Sequence, residues 1–502
     1  MMLTKRISFF AGIICGLSFS PIYFSLGLFT LSILTAQIYQ SPTVRHAAMF
    51  GYWFGFGFFL SVLYWISFGV MVYVDEFWWF IPFALLGLPA ALAIFIAIVA
   101  MIAWWCRRSS FYHILFCVIW VINEWFMSWI FTGLPWAMLG YIFSISEVLI
   151  QSASIIGILG LNFIAVFIGS IFYSYHLVSF RIMIAFMMIL LMIVYGTITL
   201  RNNETEYSEI KIRIVQPSIP QIAKWQPEIF WINLNQHISM SQAPGDPDII
   251  IWSESALTIP FYYQGIYDRL LTVFTKDNQF LLTGGVSDNG LSGDDYEIYS
   301  ALIALNSSGH LLFDYHKTHL VPFGEYIPLK KYIPIKPMKK ITHGIEDYTP
   351  GKGQLVYIPA LNLTIKPMIC YESIFSDEVR VDNRNVDVMI NVTNDAWYGK
   401  SSGPFQHFEI SRMRAVENGL PIIRAGNNGI SAIIDPLGRV IAKLDLNAID
   451  ILDGYLPKKL SKATIFSVFG PKGAIFLVLL VLILQKICFI FIAKRNKKKL
   501  FS

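Results

Sequence analysis

Charge is scarce in this chain. Only 14% of its 502 residues are Asp, Glu, Lys or Arg, whereas 55% are hydrophobic. Soluble domains carry about 25% charged residues, so an ordinary soluble domain is excluded and a membrane protein is indicated. Metal-ligand spacing is also missing. The nine histidines form no His-x-x-x-His pair and have no cysteine partners at zinc spacing. No phosphate-loop or dinucleotide glycine pattern stands out, so neither a metal nor an organic cofactor is expected. The net charge of +5 is modest, and the longest basic cluster, Lys494 to Lys499, directly follows an apolar segment. It reads as a cytoplasmic anchor, and nucleic acid is not expected as a partner. Cysteine is sparse. Cys15, Cys106, Cys117 and Cys488 fall in or at the edges of hydrophobic stretches, which leaves Cys370 alone in a polar block from Arg201 to Gly470. A lone cysteine cannot form a disulfide within its own domain. It is either an inert core residue or a reactive thiol, and the surrounding carboxylates and lysines favour the second.

Long apolar runs are what the sequence has in abundance. A spanning helix needs about 20 mostly apolar residues. Seven candidates precede Arg201, at 7–20, 22–40, 48–73, 79–105, 111–131, 156–178 and 181–200, and an eighth covers 471–493. The first is short enough for a signal peptide, but it lacks a small-residue cleavage site and reads as retained. Lys5, Arg6, Arg45, Arg107, Arg108, Arg181 and the basic tail fall in one set of loops. The alternate loops, near Pro21, around Asp75-Glu76 and across 132–155, hold no Lys or Arg. Positive-inside bias puts both termini in the cytoplasm and the polar block on the far side. The expected organisation is a seven-helix domain (1–200), an extracytoplasmic domain (201–470) and a final helix with a basic tail (471–502). In a bacterium with two membranes the polar block faces the periplasm, where an unpaired thiol is a liability unless it does chemistry. Residues 132–155 read either as an amphipathic surface segment or as a connecting loop. Phe77-Trp78-Trp79-Phe80 reads as an interfacial aromatic belt.

Within the polar block, short apolar runs alternate with helical patterns. Strands are expected at 248–252, 280–283, 301–305, 311–315, 363–369, 386–392, 430–434 and 440–443, and helices at 228–242, 264–277 and 405–419. This is an α/β layered pattern with a mixed sheet. Pro367 is expected to break the strand before Cys370. Glu254, Lys317 and Cys370 each follow a strand, and charged groups at strand ends converge on one edge of a sheet. A cysteine nucleophile needs a base, an oxyanion donor and a proton acceptor for the second substrate. Free thiols ionise near pH 8.5, and a neighbouring lysine or base is expected to raise the thiolate fraction.

Glu254, Lys317 and Cys370, in that chain order, resemble the nitrilase (carbon–nitrogen hydrolase) superfamily. The resemblance narrows to its membrane-embedded apolipoprotein N-acyltransferase family. It is carried by Lys317-Thr318-His319-Leu320-Val321-Pro322-Phe323-Gly324-Glu325-Tyr326, Ile369-Cys370-Tyr371-Glu372, Thr393 to Gly399, Gly403-Pro404-Phe405-Gln406-His407 and Arg424 to Gly429. The order of helices, polar block and final helix also matches. Ser253 stands where a proline is common, and Leu420 where many members carry arginine.

The resemblance implies about eight transmembrane helices plus an α/β αββα sandwich. It implies an acyltransferase with Glu254 as general base, Lys317 as oxyanion partner and Cys370 as nucleophile. Glu325, Tyr371 and Glu372 would support them. Trp225, Asn394, Trp397, Tyr398 and His407 would shape the substrate site. Because water must be kept from a thioester, mobile aromatic-tipped arms are expected around Trp397-Tyr398 and 335–350. The implied donor is a phospholipid of the phosphatidylethanolamine type, the acceptors are diacylglyceryl apolipoproteins, and the enzyme is a monomer of the bacterial inner membrane. A membrane-tethered amidase and a non-catalytic lipoprotein-binding scaffold remain alternatives.

Overall fold

The apolar runs fold as helices in a computed structural model, which describes residues 4–175, 177–263, 265–292, 295–328, 347–484 and 486. The basic tail, Cys488 and most of the expected 335–350 lid lie outside the described residues. Two compact units emerge. One comprises residues 1–64, 83–199 and 468–502, the other 65–82 and 200–467.

In the first unit, four helices among the described residues are long and apolar enough to cross a membrane: Val44–Leu63, Phe83–Cys106, Ala153–Tyr173 and Val178–Asn202. Tyr112–Met127 and Lys472–Leu484 are shorter apolar helices. The expected span 22–40 is a 3-10 stretch (Ser25–Thr30) followed by a helix (Leu31–Gln40), and the expected span 48–73 ends as a long helix at Leu63. Glycines set the close helix packing. A Cβ on Gly12 would meet the Phe54 carbonyl oxygen at 2.0 Å, and one on Gly57 would meet that of Phe9 at 2.1 Å. Within the segment 132–155, Leu139–Ile145 is a 3-10 stretch and Glu147–Ile150 a helical turn. Trp136, Leu139 and Tyr141 are buried, and the Gly140 N–H donates to Asn162 Oδ1 at 2.5 Å.

Among its described residues, the second unit has twelve strands in two six-stranded sheets. β1 (Tyr207–Gln216), β2 (Ile249–Trp252), β3 (Phe280–Asp288), β4 (Ile298–Asn306), β5 (Leu311–His316) and β12 (Asp450–Pro457) form one sheet, in the order β12-β1-β2-β3-β4-β5. β6 (Val356–Ile358), β7 (Leu363–Ile369), β8 (Val388–Thr393), β9 (Ile422–Gly426), β10 (Ser431–Ile434) and β11 (Val440–Leu444) form the other, in the order β11-β10-β9-β8-β7-β6. Side chains alternate across each strand. Ile212, Ile214, Ile249 and Ile251 point inward to meet Ile365, Ile369, Val388, Ile390 and Ile423 of the facing sheet. Ile250 and Trp252 point outward against Phe230, Leu234 and Ile238 of the helix Phe230–Ser241. Phe408 and Ala415 of the helix Gly403–Asn418 cover the other sheet at Met389 and Ile422. The result is a helix–sheet–sheet–helix sandwich. Each fully buried Ile, Leu or Val contributes about 1.5–3 kcal/mol of transfer free energy.

Pro367 does not break β7. It sits in register with Ile390 of β8, and on the other side β6 pairs only as far as Ile365. The N–H that proline lacks is therefore not needed by a neighbour.

Candidate active site

Parallel pairing of β1 with β2 and β2 with β3, and of β7 with β8 and β8 with β9, points several strand ends the same way. The turns after β2, β5 and β7 carry Glu254, Lys317 and Cys370, and all three are buried. The Lys317 ammonium donates to Glu325 Oε1 at 2.8 Å and to Glu254 Oε1 at 3.2 Å. One cation thus bridges two buried carboxylates. Those charges hold it protonated, well above the usual lysine range, against the opposing cost of its burial. Burial, together with the charge on Glu254, raises Glu325, while Lys317 pulls it back. Glu325 is also fixed by the Val321 N–H at 2.8 Å.

Glu372 ties the nucleophile turn to the lysine turn. Its Oε2 accepts from the Ile369 N–H at 2.6 Å. Its Oε1 accepts from the Tyr315 hydroxyl at 3.0 Å and from the Thr318 N–H and hydroxyl, both at 2.7 Å. A carboxylate taking several donors is a rigid node. Cys370 itself has φ +48°, a left-handed conformation that costs a non-glycine residue about 1–2 kcal/mol. Such strain persists where surrounding bonds over-determine it.

The thiol does not behave as its neighbours suggest from sequence. Burial first, and then the charge on Glu254, push Cys370 up to about 12, and Lys317 only partly offsets them. The resting group is therefore a thiol, and a base must take its proton as it attacks. The Tyr398 hydroxyl faces the same sulfur and is itself raised by burial and by that sulfur's charge.

His407 and Asn394, expected to shape the substrate site, are buried in supporting networks. His407 Nδ1 lies 2.8 Å from Asp395 Oδ1, and its Nε2 lies 3.0 Å from Ser373 Oγ and 3.2 Å from the Cys370 carbonyl oxygen. Arg424 donates to Asp395 Oδ2 at 2.9 Å. Despite burial, Arg424 and His407 hold the Asp395 carboxyl down to about 2. This buried ion cluster buttresses the nucleophile turn from beneath. Asn394 donates to Gln221 Oε1 at 2.6 Å and accepts from Asn427 at 3.0 Å. Trp397 and Tyr398 are half-buried, with the Tyr398 ring 4.6 Å from that of Trp65 and the Trp397 ring 6.2 Å from that of Tyr73. Trp65 and Tyr73 come from the segment 65–82 of the same unit. Trp225 is half-buried, and its buried indole N–H has no hydrogen-bond partner among the described residues. Phe80 lies 6.3 Å ring to ring from Phe323, whereas Trp78 is 67% exposed.

Sequence reasoning assigned no role to Lys224, Asp395 or Arg424. A charged residue within an apolar strand, as Arg424 is in β9, was the available signal.

The position of Glu254 also depends on Gly284. A Cβ there would lie 2.5 Å from Glu254 Cα and from the Ser253 carbonyl oxygen, both backbone atoms that cannot swing aside. Gly284→Ala is therefore expected to displace the Glu254 turn, costing about 1–3 kcal/mol of stability. Displacement on the ångström scale is expected to cost activity about 10²-fold. Thermal melting and acyl-transfer rates of the purified variant check both.

Comparison with known proteins agrees with this architecture. The carbon–nitrogen hydrolase family model matches residues 211–465, and the model of the apolipoprotein N-acyltransferase N-terminal domain matches residues 11–171. The apolipoprotein N-acyltransferase of Rickettsia typhi is 51% identical over 490 residues, 97% of this chain and 98% of the relative. That of Rickettsia prowazekii is 52% identical over 94% of this chain and 95% of the relative. That of Brucella melitensis is 36% identical over 82% and 80%. With the sandwich, the apolar helices and both family models in a single chain, the protein belongs to the apolipoprotein N-acyltransferase family.

Proposed function

We propose that the chain N-acylates lipoproteins in two steps through a thioester on Cys370. In the first, Glu254 takes the thiol proton as sulfur attacks the acyl carbonyl of a membrane phospholipid, one with a headgroup of the phosphatidylethanolamine type. Lys317 and the Tyr371 N–H stabilise the oxyanion. The C–O bond breaks, and the lysophospholipid leaves with the proton returned by Glu254. In the second, the free α-amine of an S-diacylglyceryl cysteine attacks the thioester and Glu254 takes its proton. The C–S bond breaks, and the thiol is restored with that proton. No cofactor enters either step.

The observation that carries this reading is the bridging of Glu254 and Glu325 by Lys317 at strand ends beside a buried, strained cysteine. A thiol held up to about 12 suits concerted general-base attack and not a free thiolate. Glu325 and Glu372 orient the lysine and the nucleophile turn. Trp225, whose N–H has no partner among the described residues, and Trp397 and Tyr398 contact substrate, while Asn394 and His407 hold the wall behind them. The apolar helices suit substrates whose acyl chains favour hydrocarbon by about 0.8 kcal/mol per buried CH₂. Water must be kept from the thioester, or the acyl group is lost.

In this reading about eight helices cross the bacterial inner membrane. Both termini lie in the cytoplasm, residues 201–470 face the periplasm, and the enzyme works as a monomer. Incubation with labelled phospholipid in detergent is expected to yield a hydroxylamine-labile acyl adduct on Cys370 by intact mass. Addition of a diacylglyceryl peptide is expected to move the label to the peptide's α-amine. An enzyme that releases lysolipid and fatty acid but never acylates the peptide would be a hydrolase and would refute the proposal.

A further inference from the structure

Lys224 lies outside the roles described so far, yet it is among the most deeply buried charged side chains of the unit, at 3% exposed. Among the described residues it has no carboxylate within ion-pair distance. Its ammonium makes one hydrogen bond, to the Glu254 main-chain carbonyl oxygen at 2.8 Å. Glu254 is thereby gripped at both ends by lysines, its carboxylate by Lys317 and its backbone by Lys224.

The turn around Glu254 needs such a grip. Ser255 has φ +52°, and the turn lies so close to β3 that a Cβ on Gly284 would come within 2.5 Å of the Glu254 Cα. The segment before Lys224 is itself tied down by hydrogen bonds. The Ile219 N–H donates to Asn427 Oδ1 at 3.1 Å, Asn427 donates back to the Ile219 carbonyl at 2.7 Å, and Gln221 accepts from Asn394 at 2.6 Å. The ends of β8 and β9 are thus linked through residues 219–224 to the end of β2.

A buried lysine without a carboxylate partner is costly. Where such a group persists in a cleft, its charge is a candidate for function. We propose that Lys224 is a positioning residue of this site: it fixes the Glu254 turn through the main chain and adds a second positive charge within electrostatic reach of Glu254 and Cys370. The proposal rests on the reading of those two residues as base and nucleophile.

The titratable groups facing Lys224 are Glu254 after β2, Cys370 after β7 and His237 on the helix Phe230–Ser241. Burial lowers Lys224 to about 7, although Glu254 and Cys370 pull it up, and burial keeps His237 neutral, at about 4. The ammonium is therefore present below about pH 7 and is lost above it, just where the charge state of the site matters. The folded value lies below the unfolded one, so this lysine opposes folding at low pH and ceases to do so as pH rises from about 7 towards 10.5.

The test uses the full-length enzyme in detergent, with Lys224→Met, Lys224→Gln and Lys224→Arg. Three quantities are read: the rate of Cys370 thioester formation from phospholipid, the KM for phospholipid, and the pH dependence of Cys370 alkylation by iodoacetamide. Lys224→Met is expected to slow thioester formation about 10²-fold, as a displaced catalytic group does, with KM little changed. Its alkylation profile is expected to lose an inflection near pH 7, where the wild-type ammonium near the sulfur is lost. Lys224→Arg is expected to retain most of the rate, and Lys224→Gln, which keeps a donor without the charge, to fall between. A Lys224→Met enzyme with the wild-type rate and pH profile overturns the proposal. So does failure of Lys224→Met and Lys224→Gln to fold, or equal loss in all three variants with an unchanged pH profile, since both mark a purely structural lysine. Absence of a thioester in the wild-type enzyme would instead refute the underlying assignment of Cys370.

Discussion

Cys370→Ser is expected to abolish acyl transfer while leaving the fold intact. The loss should reach about 10⁴-fold or more in kcat, the scale seen when a covalent nucleophile is removed. The site is poor at stabilising an anion on this atom: burial and Glu254 already hold the thiol up to about 12, with Lys317 only partly compensating. A serine hydroxyl starts far higher, so Glu254 would face a much larger proton-transfer barrier at the same geometry. Stability should change by less than about 1 kcal/mol, because a sulfur is exchanged for an oxygen with no change of backbone demand. Glycine at this position adopts φ +48° without the side-chain penalty, so Cys370→Gly should be equally inactive yet melt no lower than Cys370→Ser. Intact mass after exposure to phospholipid, combined with thermal melting in detergent, checks all three expectations. A serine variant that still N-acylates a diacylglyceryl peptide would remove Cys370 from the mechanism.

The sequence disclosed those parts of the fold where burial acts on both faces of a strand. Ile249 to Trp252 is a continuous apolar run, and Leu363 to Ile369 is apolar but for Thr364, Lys366 and Pro367; they appear as β2 and β7. β1 and β12 were not recognised, because Glu209, Lys211, Arg213, Asp450 and Asp453 interrupt them. In the structure the interrupting charges are paired across strands. Arg213 is fully buried and donates to Asp453 at 2.7 and 2.6 Å across the β1–β12 pair. β9 was hidden in the same way by Arg424, whose charge is matched by Asp395, 29 residues away in sequence. Pairing of this kind depends on topology, and no local periodicity reveals it. The apolar helices show a related effect. Hydropathy alone joined residues 48 to 73 into one span. In the structure, however, the chain from Trp65 onward packs with the sandwich unit, where Trp65 lies against Tyr398.

The candidate site was legible where chemistry is concentrated in rare residues at strand ends, as with Glu254, Lys317 and Cys370. Its support was only partly legible. Glu325 and Glu372 stood out as carboxylates near the motif residues, but four donors to Glu372 come from Ile369, Tyr315 and Thr318, on two different strands' ends. His407 is expected in the substrate wall only through the Gly403-Pro404-Phe405-Gln406-His407 motif. It is instead held by Asp395 and Ser373 beneath the Cys370 carbonyl. The net charge of a buried cluster decides such roles, and a one-dimensional string does not display it.

Lys317→Met should damage the enzyme for two separable reasons. The first is catalytic. The oxyanion loses its cation and Glu254 loses its orienting partner, so kcat should fall by about 10²–10³-fold or more, the cost of one oxyanion donor. The second is structural. Glu254 and Glu325 now share only an ammonium, and without it two buried carboxylates face each other uncompensated. Breaking a buried ion pair from one side costs about 3–5 kcal/mol. The two effects separate in the double variant Lys317→Met, Glu325→Gln. Removing one carboxylate should recover a large part of the stability but none of the activity, because the oxyanion still has no cation. The pH dependence supplies an independent sign. Glu325 is already raised by burial and by Glu254, and losing Lys317 removes what lowers it. Its folded value then lies further above the unfolded value of about 4.3, so the folded state of Lys317→Met binds the extra proton. The stability deficit should therefore be smallest below about pH 4 and grow as pH rises through the folded value, whereas the double variant should lose most of that slope. Thermal melts of wild type, single and double variants across this range measure it. A Lys317→Met protein whose deficit is flat with pH would mean that Glu254 and Glu325 do not depend on this lysine for their charge balance.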